Sequence, residues 1–331
     1  MDVLAVELWG PPGPPRGDAA GRLQSYVCAV ARNALAFLAS GGADAVDGVL
    51  FPHTCDSIQG LATLATDLGG WAKRAFTFLH PKGPPRPSAR AFLEAELRAL
   101  AAALEPLTGR PLDVSRLDAA LRLHGQVDAH RAALLDGRAR LPMTDPELYR
   151  LLRRGEWLWP EDHLAELRAA RARMEDRPVQ AGVPVLVSGY VPEPIATLEV
   201  LDGAGAYVAA DDYAAVGRRL VREEPADGDP WARLVARYLA APPCPTRASD
   251  PDVRLRHLGG LLDRSGARGV LLHVQKFCEP ELFDVPAIRR TCAARGVPVL
   301  VLEGELEAEL SAQAVTRIEA FVEMLSRGRA A

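Results

Sequence analysis

The sequence predicts an α/β fold made of two parallel-sheet domains with a helical segment between them. Three observations carry this. Short apolar runs such as Val183-Pro184-Val185-Leu186-Val187 and Gly269-Val270-Leu271-Leu272 have the length and composition of buried strands. Each run is followed by a loop and then a helical pattern, which implies parallel strands and right-handed crossovers. Between residues 88 and 177 strand-like runs give way to helical periodicity. At 331 residues the chain exceeds one ordinary domain. The expected division is a first α/β domain over 1–87, a helical segment over 88–177 that completes or bridges the domains, and a second α/β domain over 178–331.

Taken in order, residues 4–8 predict a short strand, followed by a Pro- and Gly-rich loop over 9–17. A helix is expected from Gly21 to Leu38, with Cys28 inside it on a face shared with Val27, Ala31, Ala34, Leu35 and Leu38. Strands follow at 48–52 and 75–79, the second running into the loop His80-Pro81-Lys82-Gly83-Pro84-Pro85, which is either part of a site or a rigid turn. Helices are expected at 88–104, with Ser88 as N-cap, and at 115–138, 145–153 and 161–176, with Trp157 and Trp159 packing between them. Strands at 183–187, 206–210, 269–274 and 297–302 then alternate with helices at 194–201, 229–240, 251–265, 285–295 and 308–327. This alternation is that of Rossmann- or flavodoxin-like sheets.

Composition removes several classes of function. Charged residues make up 25% and hydrophobic ones 48%, enough for a real core, and the net charge is −4. Such a balance offers no basic surface for nucleic acid. No segment is apolar enough to span a bilayer, and the N-terminus lacks the pattern of a signal peptide, so a cytoplasmic location is expected. Five cysteines, an odd number, argue against a disulfide framework and leave packing thiols, metal ligands or a nucleophile.

Two of those cysteines sit where chemistry is expected. Cys278 lies between the 269–274 strand and a helix, and Cys55 lies between the 48–52 strand and another helix. In open parallel sheets ligands bind at such carboxyl ends, and a helix N-terminus favours a thiolate. Other features are unproductive. Gly203-Ala204-Gly205 precedes a strand, whereas a dinucleotide fingerprint follows one, and neither GxxxxGK[ST] nor HExxH nor GxSxG occurs. Three cysteines with His53 or His273 would also make a zinc site. Cys292 falls within the 285–295 helix and reads as a packing residue.

The stretches LQSYVCAVARN, FPHTCDSIQ, RYLAAPPCPTR, KFCEPELFD with DVPAIRR after it, GVPVLVLE and TRIEAFVEML resemble subunits of the benzoyl-CoA reductase and 2-hydroxyacyl-CoA dehydratase family. The resemblance runs from about residue 5 to 326, and its wording is closest to the smaller, C-type subunit of ATP-dependent benzoyl-CoA reductase. It implies one 4Fe–4S cluster held by Cys28, Cys55 and Cys278, with Cys244 of the PPCPT motif as reserve ligand. It also implies a homologous second subunit, in a heterodimer or a homodimer, and a separate ATP-hydrolysing iron–sulfur activator. The activator supplies single electrons that reach an acyl- or aryl-CoA thioester and form a ketyl-type radical anion. Ring reduction is one outcome and loss of water from a 2-hydroxyacyl-CoA the other. By position, His53, Asp56, Glu279 and Glu281 are candidates for handling protons. The family pattern begins several dozen residues before the segment matching Val3–Trp9. That difference implies a cluster-bearing subunit whose partner holds most of the substrate; the alternatives are a cluster-bearing electron-transfer or structural partner subunit without its own substrate site, or a homodimeric reductase of the double-cubane type.

Overall fold

The computed structural model describes residues 2–9, 21–68, 73–84, 86–174, 182–223, 225, 227–306 and 309–328. Among these residues six strands form two all-parallel sheets: β1 (Gly48–His53), β2 (Arg74–Leu79), β3 (Val183–Gly189), β4 (Ala206–Tyr213), β5 (Gly269–Gln275) and β6 (Val299–Gly304). Strands β1 and β2 pair in a small sheet, with Gly48 opposite Arg74 and His53 opposite Leu79. The larger sheet runs β4-β3-β5-β6. The chain therefore moves outward from β3 to β4 in one direction and from β5 to β6 in the other. The switch lies between the neighbours β3 and β5, where Gly189 stands opposite His273. Such a switch opens a crevice at the carboxyl ends of the strands.

Twelve helices surround the sheets among the described residues. They are α1 (Ala29–Ala39), α2 (Asp56–Gln59), α3 (Leu61–Thr63), α4 (Pro87–Thr108), α5 (Val114–Asp136), α6 (Asp145–Arg153), α7 (Pro160–Ala172), α8 (Ala196–Gly203), α9 (Pro230–Ala240), α10 (Pro251–Ser265), α11 (Glu279–Ala293) and α12 (Ala312–Arg327). Local chemistry starts many of them. Thr144 and Glu147 form a capping box at α6, and Asp113, Asp229, Asp250 and Ser311 accept backbone N–H groups at α5, α9, α10 and α12.

The large sheet is covered on both faces, as a parallel sheet must be. Val185, Val187 and Leu271 pack with Leu198 and Leu201 of α8 and Ile318, Phe321 and Val322 of α12. Leu186, Val270, Leu272 and Val274 pack with Leu258 and Leu262 of α10 and Ile288 and Cys292 of α11. Helix α1 joins the two halves. Its first residues lie in the large cluster, while Ala34, Leu35 and Leu38 pack with Phe51 of β1 and Leu61 of α3.

Several sequence expectations are corrected. The N-terminal part, expected to be a doubly wound domain, shows a two-stranded parallel sheet among the described residues. Residues 4–8 are not a strand. They are tied down by Glu7 N–H donating to the Glu156 carbonyl at 2.8 Å and by Trp9 against the Tyr190 ring. Helix α1 begins at Ala29, so Cys28 is its N-cap rather than an interior residue. Helix α11 begins at Glu279, so Pro286 lies inside it rather than in its first turn. Trp157 and Trp159, expected to pack between the helices, are 46% and 42% exposed. The expected helix 161–176 and the 177/178 boundary fall partly among residues 175–181, outside the described residues.

Candidate functional site

Four cysteines occupy the same kind of position, the residue immediately before a helix. Cys28 caps α1, Cys55 caps α2, Cys278 caps α11, and Cys244 caps a single 3₁₀ turn at Pro245–Arg247. The residue types explain the local folding. Cys55 ends a strand through Thr54, and its carbonyl accepts from Ile58 and Gln59 at 3.2 and 3.0 Å. At Cys278 the chain turns through Phe277, which adopts a left-handed φ of 63°. That turn lets the Cys278 amide donate back to the Gln275 carbonyl at 2.9 Å while its own carbonyl starts α11 by accepting from Leu282 at 2.9 Å.

Cys28, Cys55 and Cys278 are brought within electrostatic reach of one another. Burial pushes the Cys55 thiol up, and Cys28 adds to the effect. Burial pushes Cys278 well above the ordinary thiol range, with further contributions from Glu281, Cys28 and Cys55. Cys28 is raised by burial, and the amides of Ala31 and Val30 partly offset this. The phenol of Tyr190, directly after β3, is raised by burial and then by Cys55, Cys244, Cys278 and Cys28. All four thiols thus lie within electrostatic range of Tyr190, the residue that follows β3 beside the switch point. Gly189 lets this point close, since a side chain there would sit 2.1 Å from the His273 carbonyl oxygen.

These directions correct one expectation. The sequence placed Cys55 and Cys278 where a helix N-terminus lowers thiol pKa. The first-turn amides do pull downward, but loss of water around each sulfur outweighs them. Burial thus favours the protonated form of each thiol. Among the described residues, no group of three or more His, Cys, Asp or Glu side chains is gathered tightly enough to hold a metal ion.

The other candidates separate clearly. Cys244 is 3% exposed and already engaged, its sulfur lying 3.4 Å from Arg218 Nη1 and 3.1 Å from Thr246 Oγ1. Cys292 is fully buried in the apolar layer between α10, α11 and the sheet. Asp56 and Glu279 are exposed in the first turns after Cys55 and Cys278, and His53 is half-buried at the end of β1. Glu281 is buried and paired with both terminal nitrogens of Arg218. His273 is 3% exposed, and burial lowers its pKa to about 4, so its imidazole is neutral. The loop after β2 makes a tie rather than a pocket. His80 bonds the Tyr238 hydroxyl at 2.9 Å and the Arg247 carbonyl at 3.1 Å, and Pro85 lies outside the described residues.

The structure also reveals residues that the sequence did not mark. Arg218 and Arg254, fully withdrawn from solvent, straddle Asp212 at the end of β4. Arg254 Nη1 donates to Asp212 Oδ1 at 2.8 Å, and Ser188 Oγ donates to Asp212 Oδ2 at 2.6 Å. This network holds the first turn of α11, and so Cys278, against β3 and β4 through Glu281. The strand-end positions of Ser188, Tyr190 and Asp212 were a usable signal. Nothing in the pattern of α10 distinguished Arg254 from its solvated neighbours.

Parallel sheets, the larger with its switch point between β3 and β5, define an α/β protein, with helix-capping cysteines near that point. The chain belongs to the 2-hydroxyglutaryl-CoA dehydratase D-component family, whose model matches residues 1–325. It is 25% identical over 330 residues to the lactoyl-CoA dehydratase subunit beta of Anaerotignum propionicum, covering 97% of this chain and 86% of that one. It is 27% identical over 291 residues to the C-type subunit of benzoyl-CoA reductase from Thauera aromatica, covering 84% and 74% respectively. Similarity to the (R)-2-hydroxyglutaryl-CoA dehydratase subunit beta of Acidaminococcus fermentans is 23% over 332 residues, 98% of this chain and 87% of that one. These relatives are subunits of enzymes acting on CoA thioesters.

Proposed function

We propose that this chain is the iron–sulfur subunit of a low-potential CoA-thioester dehydratase or reductase. The observation that carries the reading is the set Cys28, Cys55 and Cys278, each capping a helix and each felt by Tyr190. The donor set fits a 4Fe–4S cluster. Thiolates are the ligands such clusters require, and three helix N-termini oppose the cluster's negative charge. A single tetrahedral ion with metal–sulfur bonds of about 2.3 Å draws its sulfurs within about 4 Å of each other. A polynuclear cluster spans its sulfurs more widely, and kinship with CoA-thioester dehydratase and reductase subunits favours it over zinc. When bound, the cluster would carry single electrons at low potential.

The chain's own residues then have distinct tasks. Cys28, Cys55 and Cys278 hold, and Tyr190 and Phe277 keep water away from the sulfurs. Asp56 and Glu279, exposed beside the ligands, and His53 behind Cys55 are placed to exchange protons with a partner or solvent. Cys244 is assigned to the Arg218 network in preference to the cluster. The two halves act as separate domains with the site in the cleft between them. A homologous subunit, as a heterodimer or homodimer, and an ATP-dependent activator complete the enzyme in the cytoplasm. No described helix is long and apolar enough to cross a membrane.

A second reading, an electron-carrying subunit whose partner holds the thioester, is favoured by one observation. The benzoyl-CoA reductase relative that this chain matches is likewise one subunit, named C, of a larger enzyme. Anaerobic Cys→Ser variants at each position, assayed for iron, acid-labile sulfide and absorbance near 400 nm, test the assignment (a region of about that wavelength reports thiolate–iron charge transfer). Loss at Cys28, Cys55 and Cys278 with retention at Cys244 and Cys292 is expected. Zinc without iron in the wild-type chain would overturn it. Titration with benzoyl-CoA and a 2-hydroxyacyl-CoA, with and without the partner, separates the two readings.

A further inference from the structure

Beside the cysteines, three deeply buried side chains hold polar atoms without a hydrogen-bond partner among the described residues. They are Tyr213 Oη, His273 Nδ1, and both Nε2 and Oε1 of Gln275. Tyr213 is 0% exposed, His273 3% and Gln275 1%. The three are contiguous. The rings of Tyr213 and His273 meet edge-on with centroids 6.4 Å apart, and His273 and Gln275 are alternate residues of β5 on one face. That face carries Leu271, whose cluster includes Cys28 and Tyr213 with Tyr190 and Phe277 packed against it. Val270, Leu272 and Val274 face the opposite layer. The row ends at Gln275, whose carbonyl already receives the Cys278 amide.

A buried polar group without a hydrogen bond forfeits its hydration with nothing in return, so four such atoms on three neighbouring side chains call for an occupant. The lining restricts what it is. A phenol, a neutral imidazole and a carboxamide offer donors and acceptors but no charge. An ion there would be uncompensated, whereas water both donates and accepts and fits an enclosed polar space.

We propose that Tyr213, His273 and Gln275 form an internal water site at the carboxyl ends of β4 and β5, opening on the cysteine group. Gln275 is its positioning residue, and its carboxamide aims the water at whatever the thiols hold. The water site stands on its own; its role toward a cluster rests on the iron–sulfur reading.

Two measurements on the full chain test this. In cluster-free protein, Tyr213→Phe and Gln275→Met each remove a partner of bound water, so melting temperature falls by about 2–4 °C per variant. If the site is dry, the same changes remove an unsatisfied group and the melting temperature rises, which overturns the water site. In chain reconstituted anaerobically with iron and sulfide, then reduced in D₂O, electron spin-echo spectra should show an exchangeable deuteron coupling that Gln275→Met loses at unchanged iron content. Its persistence in Gln275→Met would overturn the positioning role. Failure of the wild type to take up iron would overturn the iron–sulfur reading instead, and melting would still decide the water site.

Discussion

The Cys55 and Cys278 junctions look alike as sequence and differ as structure. Cys278 leaves a central strand whose seven residues are all buried, and it enters a 15-residue helix locked by Glu281 and Arg218. Cys55 leaves a strand with one buried residue, Phe51, and enters a four-residue helix with none. Cys278 is 8% exposed, whereas Cys55 is half-buried. The same strand–cysteine–helix pattern therefore yields one firmly packed cysteine and one loosely packed cysteine. Burial of the strand decides which, since local stability follows packed apolar contacts.

The largest test of this contrast removes the lock. Arg218→Met leaves the buried Glu281 without its partner, while Asp212 keeps Arg254 and Ser188, and should cost about 3–5 kcal/mol in denaturant unfolding, the range for breaking a buried ion pair. Asp56→Ala in the exposed turn of α2 should stay within about 0.5 kcal/mol, as surface changes do. A smaller effect compares the strands themselves. Leu271→Ala in β5, 0% exposed, should cost about 2–5 kcal/mol, while Leu50→Ala in β1, 44% exposed, should cost well under about 1 kcal/mol. Equal losses would mean that β1 is as rigid as β5.

A pH experiment sharpens the same point at β4. Asp211 is buried and its pKa is raised to about 7, against the pull of Tyr149 and the Gly217 amide. A carboxyl raised in the folded state binds more protons there than when unfolded. Its contribution is complete below the ordinary carboxyl pKa of about 3.9 and disappears as pH climbs through about 7. Asp211→Asn should therefore flatten the stability profile between about pH 4 and 7 relative to wild type. An unchanged slope would show that the carboxyl is not held protonated. The smallest effect is a rate order. In cluster-free protein, iodoacetamide followed by peptide mapping should label Cys55 before Cys28 or Cys278, and labelling of Cys278 first would reverse the comparison.

Much of the larger sheet was legible because its strands are continuous apolar runs bounded by turns, and all four lie close to their expected positions. Cys55 and Cys278 could be placed at strand ends for the same reason. Cys28 could not, because the apolar pattern of 27–38 runs across the helix start without a Ser, Thr, Asp or Asn to mark it. The helix expected from 285 starts two turns earlier in the structure, since Cys278 and Pro280 begin α11 and Pro286 is absorbed within it. The Arg218–Asp212–Arg254 network was invisible for a different reason. Its members come from a 3₁₀ turn, a strand and an α-helix far apart in sequence, and they become meaningful only when the fold brings unlike charges together out of water.

The distribution of cysteines also sets an order of events. Cys28 and Cys55 lie in the part of the chain synthesised first, whereas Cys278 follows a switch point whose neighbouring strands, β3 and β5, are separated in sequence by α8, β4, α9 and α10. Parallel pairing at such separations is slow, because loop closure precedes any contact that rewards it. Any group that needs all three sulfurs must therefore be loaded after the last strands have docked. During synthesis the early thiols stand alone, open to oxidation or to a stray metal, and assembly becomes a matter of timing and protection as much as of affinity.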